Sequence, residues 1–447
     1  MISVSGIRGI VGESLTPFVV ADYAAKLATW LPPGPIVFGR DSRPSGPALR
    51  LAILGALTGV GREVIDLGIV PTPTVQVEVE RRRAAGGIAL TASHNPVEWN
   101  ALKLIGGDGR FLSPTAGRQF LDAAGSMSPA WQPWDRLGTV TIVDDPLAHH
   151  LDLILGLDFL DLAAIRARRF HVALEAVHGA GGGMGRRLLS ALGCRFDILF
   201  EEPTGLFPRV AEPLAENLGI LSAHVAAGAG GPYDVGFAFD PDVDRLSLVD
   251  ETGRALGEEF TLALAARYVL ERKPGPAVTN LSTSAMIDAV AARLGRVVLR
   301  TPVGEANVVE TMAAEGAPIG GEGNGGVILP AVHLGRDAPV GVALVLGLMA
   351  ATGRKLSELA AELPILAMVK ARRELKAPPD LSRLIAPLTA ALPGGILDQR
   401  DGLRVARPGE WIHVRKSGTE PIVRVITEAG NLTRANELKD LALDALD

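Results

Sequence analysis

Three aspartates, Asp240, Asp242 and Asp244, stand within the five residues DPDVD of DPDVDR, at the end of the apolar run YDVGFAF. Like charges about 4 Å apart repel by roughly 4 kcal/mol at an effective dielectric of about 20, so the group calls for a cation. Hard carboxylate donors select Mg²⁺ or Ca²⁺ over zinc or copper. A calcium EF-hand is the obvious rival, because Glu251 falls at the twelfth position of such a loop. Against it, Arg245 stands where the sharp turn needs glycine, Pro241 takes the second place, and strand-like text flanks the loop. A solvated acidic turn is the bland alternative. Mg²⁺ suits the group better than Ca²⁺ because it commonly keeps positions open for phosphate oxygens.

Three other loops offer complementary chemistry. In TASHNP (91–96), Ser93 presents a hydroxyl where an apolar strand ends. No G-x-S-x-G elbow surrounds it, and His94 is adjacent only in sequence, so a hydrolase triad is poorly supported; an ordinary Asn-Pro turn is the competing reading. RKSGTEP (415–421) combines a guanidinium fork, an ammonium, two hydroxyls and a glycine that frees backbone N–H groups, an inventory suited to a dianionic phosphate or simply a polar hairpin. GEGNGG (321–326) lacks the lysine of a nucleotide P-loop but sets Glu322 beside Asn324, an acceptor and a donor that would suit sugar hydroxyls. HGAGGGMG, from His178, misses the third glycine of a dinucleotide fingerprint and reads as a tight strand-to-helix turn.

The elements that must carry these loops alternate. Pro17–Trp30 predicts a helix capped by Thr16, PIVFGRD a strand, Ala48–Val60 a helix, EVIDLGIV a strand, TPTVQVEVERRRA a helix and GGIALTASH a strand. Such spacing argues for a largely parallel sheet with helices on its faces and ligand loops at the carboxyl ends of its strands. Residues 125–145 turn irregular and read as a linker. A second unit follows, from the strand FHVALEAV to YDVGFAF, and a third from about Gly253 to Pro364, with AVTNLS and RVVLRT as strands. EWIHVRKSGTEPIVRVITEAG near the end reads as strand–loop–strand before a helix.

Composition bounds the rest. The 447 residues, 47 % hydrophobic and 21 % charged, suffice for three or four packed units. A net charge of −6 without a basic run excludes electrostatic support for nucleic acid or an anionic membrane surface. The lone Cys194 cannot form an internal disulfide. The apolar stretch from Val340 is bounded by Asp337 and Arg354, is too short to span a bilayer and reads as a buried helix. No secretory signal is visible, and the default expectation is a cytoplasmic protein.

The ordered set TASHNP, D-x-D-x-D-R, G-E-x-N-G and R-x-S-G-T-E-P, with GIRG at Gly6, GRDSR at Gly39 and the lysine of NALKL, resembles the α-D-phosphohexomutase family over essentially the whole chain. The resemblance implies three related α/β domains with mixed sheets and a smaller α+β C-terminal domain around a central cleft. Its domains would be 1–140 with the phosphoserine loop, 141–252 with the metal loop, 253–365 with the sugar loop and 366–447 with the phosphate loop. Carried over, Ser93 would hold the phosphoryl group, and Asp240, Asp242 and Asp244 would bind one Mg²⁺ together with a phosphoserine oxygen. Arg8, His94, Lys103 and Arg245 would line the reacting phosphate. Glu322 and Asn324 would contact sugar hydroxyls, and Arg415, Ser417, Gly418 and Thr419 would hold the distal phosphate. The implied activity is reversible conversion of hexose 1-phosphate and hexose 6-phosphate, with a hexose 1,6-bisphosphate as intermediate and activator and with a monomeric or homodimeric enzyme. Lys416 where proline is usual, Asn324 for serine, Gly326 for histidine and Glu305 for histidine or aspartate depart from the common pattern near the sugar-reading region. GEGNGG with HLGRDA is similar to the archaeal-type phosphoglucosamine mutases, with phosphomannomutase or phosphoglucomutase as the alternative. A Mg²⁺-dependent sugar phosphatase and a non-catalytic sugar-phosphate sensor are the more distant readings.

Overall fold

The computed structural model describes residues 2–3, 6–228, 230–374, 380–416 and 422–446. Helices begin where sequence supplies a cap. Thr16, Ser113, Asp161, Asp337 and Asn431 each accept a hydrogen bond from a backbone N–H in the first turn of the helix that follows. Ala338–Thr352 also has proline in its first turn and a left-handed Gly353 just past its end, and it is buried along nearly its whole length.

Four sheets organise the described residues. The first has seven strands in the order Ile2–Ser3, Gly6–Ile10, Trp99–Gly106, Gly86–Leu90, Ile36–Arg40, Val64–Ile69 and Val140–Ile142. Three of its pairings are parallel and three antiparallel, so it is mixed rather than largely parallel. The cause is the return from Gly86–Leu90 through the short TASHNP loop into Trp99–Gly106. No crossover helix intervenes, and a direct return must be antiparallel. The stretch read as a linker holds the edge strand Val140–Ile142, paired in parallel with Val64–Asp66. Its three side chains are all exposed, so no alternation betrays it.

The second sheet runs Ala255–Gly257, Leu246–Asp250, Val235–Phe239, His171–Glu175, Arg195–Leu199, and the third Val298–Thr301, Ala277–Asn280, Ile319–Glu322, Gly326–Leu329, His333–Arg336. One device recurs in all three units: a buried parallel strand turns straight back into an antiparallel partner. Those three turns carry Ser93, the aspartate trio and Asn324. The fourth sheet, Ala367–Glu374, Ile422–Ala429, Glu410–Lys416, Leu403–Arg407, Ile396–Asp398, is antiparallel throughout and packs on the helix Leu432–Asp444.

The second and third units share one continuous apolar core, threaded by the helix Ala338–Thr352. The first sheet has separate apolar clusters on its two faces, and the fourth unit keeps a core of its own. Among the described residues no helix is long and apolar enough to cross a membrane.

Candidate active site

Ser93 sits at the first of these turns with a φ of +50°, a left-handed conformation that costs a non-glycine residue of order 1–3 kcal/mol. Its surroundings over-determine it. Thr91 Oγ1 accepts from Ser93 N at 2.9 Å. The wholly buried Arg43, ion-paired with Asp41 at 3.0 Å, donates to the carbonyls of Ser93 (2.6 Å), Asn95 (2.7 Å), Pro96 (2.5 Å) and Trp99 (2.9 Å). One guanidinium thus holds the loop from beneath. The Ser93 hydroxyl donates to Asp240 Oδ2 at 2.8 Å and lies 3.4 Å from His94 Nδ1.

The aspartate turn is fixed by its own unit and by the first and third units. Asp240 Oδ1 accepts from Asp244 N and Arg245 N, each at 3.1 Å. Thr72 N donates to the Asp242 carbonyl at 2.9 Å, Ala180 N to the Pro241 carbonyl at 2.8 Å, and Ala338 N to the Val243 carbonyl at 3.2 Å. The sugar-side loop is stitched to the same strand by Leu246 N donating to the Gly325 carbonyl at 3.0 Å. At Gly325, with φ +85°, a Cβ would meet the Leu246 carbonyl at 2.4 Å, so only glycine permits this approach.

The three carboxylates are fully buried, and an oxygen from each lies within 4.8 Å of the others. Lys103 Nζ bridges Asp242 Oδ2 (2.6 Å) and Asp244 Oδ2 (3.0 Å), with Thr72 Oγ1 and Arg336 also donating to them at 2.8 and 2.7 Å respectively. Asp242 Oδ1 and Asp244 Oδ1 are buried without a hydrogen-bond donor among the described residues, with Arg245 Nε 3.8 Å from the latter. An oxygen-only donor set with two orphaned carboxylate atoms fits a hard divalent cation. Burial and then the charges of Asp244 and Asp242 hold Asp240 well above the usual carboxylate range. Burial also pushes Asp242 up, but the Lys103 ammonium and its hydrogen bonds outweigh it and leave that group below the usual range. Lys103 is affected in mirror fashion: burial lowers it, and Asp242 and Asp244 carry it above the ordinary lysine value.

A cavity of about 340 Å³ opens over this cluster. Arg8, Ser93, His94 and Lys103 line it from the first unit, Arg245 from the second, and Glu322 and Asn324 from the third. Arg8 donates to Asn95 Oδ1 at 3.0 Å and Arg245 to Glu212 at 3.0 Å. Arg245, then burial and then Arg8 keep His94 well below the usual histidine range, so its ring is neutral.

Two lining residues were not singled out as ligands by the sequence. Arg336, buried, joins Asp244 (2.7 Å), Glu305 (2.8 Å) and Glu322 (3.2 Å), and so links the cation cluster to the sugar-side loop. The only signal for it was HLGRDA, an arginine just before a helix cap. In the sequence Glu305 stands out only as a departure from the common pattern. Arg415 does not line the cavity; it donates to Asp401 Oδ2 at 2.9 Å, which also accepts from Val303 N of the lining at 2.9 Å. Ser417, Gly418 and Thr419 lie outside the described residues. A second buried group, His150, His333 and Asp337, is knit by hydrogen bonds: both rings donate to Asp337 Oδ2 at 2.6 and 3.1 Å, and Thr74 meets His150 Nδ1 at 2.9 Å.

Comparison with known proteins agrees along the whole chain. Residues 2–124, 148–253 and 258–366 match the phosphoglucomutase/phosphomannomutase alpha/beta/alpha domains I, II and III, and residues 368–445 match the C-terminal domain of the same family. The chain is 36 % identical over 446 residues to the probable phosphoglucosamine mutase of Methanopyrus kandleri, covering 98 % of this chain and 96 % of that protein. It is 35 % identical over 452 residues to the phosphoglucomutase/phosphomannomutase of Thermococcus kodakarensis, covering 99 % and 97 %. The crystal structure of a phosphoglucomutase/phosphomannomutase family protein from Burkholderia thailandensis superimposes with a TM-score of 0.84 at 26 % identity, covering 100 % of this chain and 98 % of that one.

Proposed function

Because the chain belongs to the phosphoglucomutase/phosphomannomutase family, we propose that it interconverts hexose 1-phosphates and hexose 6-phosphates through a phosphoryl group carried on Ser93. The observation that carries this reading is the 2.8 Å hydrogen bond between the Ser93 hydroxyl and Asp240 of the buried trio.

In the forward direction the free hydroxyl of a hexose 1-phosphate attacks phosphoserine 93. The new sugar O–P bond forms as the Oγ–P bond breaks; the sugar hydroxyl gives up its proton and Oγ is protonated when it departs. Neutral His94, beside Oγ, and Lys103 are the groups placed to move those protons. The resulting 1,6-bisphosphate turns end over end and returns its other phosphate to Ser93. Mg²⁺ held by Asp240, Asp242, Asp244 and the Ser93 side would offset phosphate charge and align the transferring group. Lys103, Arg8 and Arg245 supply positive charge for the equatorial oxygens. Glu322 and Asn324 read hydroxyls that exchange places on turning, and the Arg415–Thr419 loop grips the phosphate that is not reacting. Roles divide by domain: 1–140 carries the phosphoserine, 141–252 the metal, 253–365 the sugar contacts and 366–447 the distal phosphate. Water must be kept from the phosphoserine, and closure of the fourth domain on the cleft would do so.

Of the substrates, we favour glucosamine phosphate, in keeping with GEGNGG and HLGRDA and with the relative from Methanopyrus kandleri; the relative from Thermococcus kodakarensis points to the broader glucose or mannose alternative. The deciding assay supplies Mg²⁺, a bisphosphate primer and each of the three hexose 1-phosphates. Wild type is expected to isomerise at least one of them, and Ser93→Ala to lose about a thousandfold or more in rate. Isomerisation by the alanine variant at the wild-type rate would reject the covalent route. Release of free phosphate without isomerisation would make the protein a phosphatase.

A further inference from the structure

A groove of about 960 Å³ runs between the third and fourth units and shares no lining residue with the Ser93 cavity. Its floor holds a cation that no carboxylate contacts directly. Arg404 is nine-tenths buried and stacks over the Trp411 ring, 5.0 Å from its centroid. Its Nε is buried without an acceptor, and among the described residues its guanidinium has no hydrogen-bond or ion-pair partner.

The acids nearby are already engaged. Asp398 lies opposite Arg404 across the strand pair, but its carboxylate is held by Arg400 at 2.5 Å. Asp288, on the third unit's wall, is held by Arg300 at 2.5 Å. Glu428 accepts from Trp411 Nε1 at 2.8 Å and Ala285 N at 2.9 Å. Arg300, paired with Asp288, is a second guanidinium on the third unit's wall of the groove. Burial, and then Arg300, push the Arg404 guanidinium down to about 9, and Asp288, Asp398 and Glu428 offset this only in part.

We propose that this groove is a second anion site, taking a small organic phosphate whose phosphate group meets Arg404. A planar guanidinium fixed against an indole offers two parallel donors, the arrangement that phosphate oxygens accept bidentately. The volume exceeds what one phosphate fills, and Pro302, Pro364 and Ile396 supply an apolar wall for an organic body. Arg404 and Trp411 belong to the fourth unit, while Arg300 and Asp288 belong to the third. A ligand between them touches both, so its occupancy is coupled to how the two units sit.

The test is a calorimetric titration of the metal-free full-length chain with inorganic pyrophosphate and, separately, with ADP, which needs no turnover and so stands or falls apart from the mutase assignment. Wild type should show a binding event that weakens at least tenfold in Arg404→Gln. Should that variant fold poorly, Ala406→Glu, which places a negative charge beside Arg404 on the same strand face of the groove, should weaken the same event. Tighter binding of ADP than of pyrophosphate at that event supports the organic body; equal affinity overturns that part. Unchanged titrations in both variants overturn the site itself.

Discussion

The junction between the second and third domains differs in kind from that between the third and fourth. The former is a single apolar core in which the helix Ala338–Thr352 packs against strands and helices of both domains. The latter is a set of discrete polar contacts. His413 Nδ1 accepts from Ser282 at 2.8 Å, Glu428 accepts from Ala285 N, Asp401 accepts from Val303 N, Lys370 pairs with Glu258 at 2.8 Å, and Arg400 donates to the Arg300 carbonyl at 2.7 Å. Close-packed apolar interfaces do not slide without opening voids. Hydrogen bonds can be exchanged for water at about 1 kcal/mol each. The contrast gives the molecule a rigid half that fixes the aspartate turn and a loosely tied unit that carries Arg415. A phosphoryl-transfer site needs both, one for alignment and one for admission of a substrate that must turn over.

The comparison can be broken from either side. Leu344→Ala, in the shared core, should cost about 2–5 kcal/mol and lower the unfolding transition of the second and third domains together. Two separate transitions in calorimetry would show that the core is not one unit. Glu428→Leu removes the acceptor from two donors and should cost roughly 1–3 kcal/mol. Faster amide exchange should then be confined to the fourth domain and the segment around Ala285. Asp401→Ala frees Arg415 and Val303 N, and KM for the hexose phosphate should rise about fivefold with little change in kcat, an effect of about 1 kcal/mol.

The smallest effect is one of pH. Burial holds His413 below the usual histidine range, and its Nε2 donates to the Asp401 carbonyl at 2.7 Å while Nδ1 accepts, so the folded ring is neutral. As pH falls through about 6.5, the unfolded state takes up a proton that the folded state refuses. Docking of the fourth domain should therefore weaken as pH falls from about 7 to about 4, and His413→Gln should flatten that dependence in amide exchange.

What was legible in the letters was local. Apolar runs ending in Asp240 and in TASHNP read correctly as strand ends, because hydrophobic period and turn residues are neighbours in sequence. The helix from Pro17 and the buried helix after Asp337 were equally readable from their caps and composition. The edge strand Val140–Ile142 was not, since a fully exposed strand carries no alternation. Helix–strand spacing alone suggested a largely parallel first sheet, because the return strand Trp99–Gly106 carries little to declare its direction; the mixed sheets came from the family resemblance.

By itself the sequence determined which chemical groups are present and on which kind of turn each is displayed, because caps, periodicity and turn chemistry act over a few residues. Which of those groups meet depends on how the chain folds. Arg43 became a clamp for Ser93 because its guanidinium is buried beneath four carbonyls of a loop some fifty residues away. Arg336 became the bridge between cation cluster and sugar-side loop because the third sheet brings its strand against Asp244. Arg404 was left without a direct ion pair because the acids around it, Asp288, Asp398 and Glu428, are held by other donors. Electrostatic pairing and burial depend on distance in space, and distance in space is the quantity that a linear text does not carry.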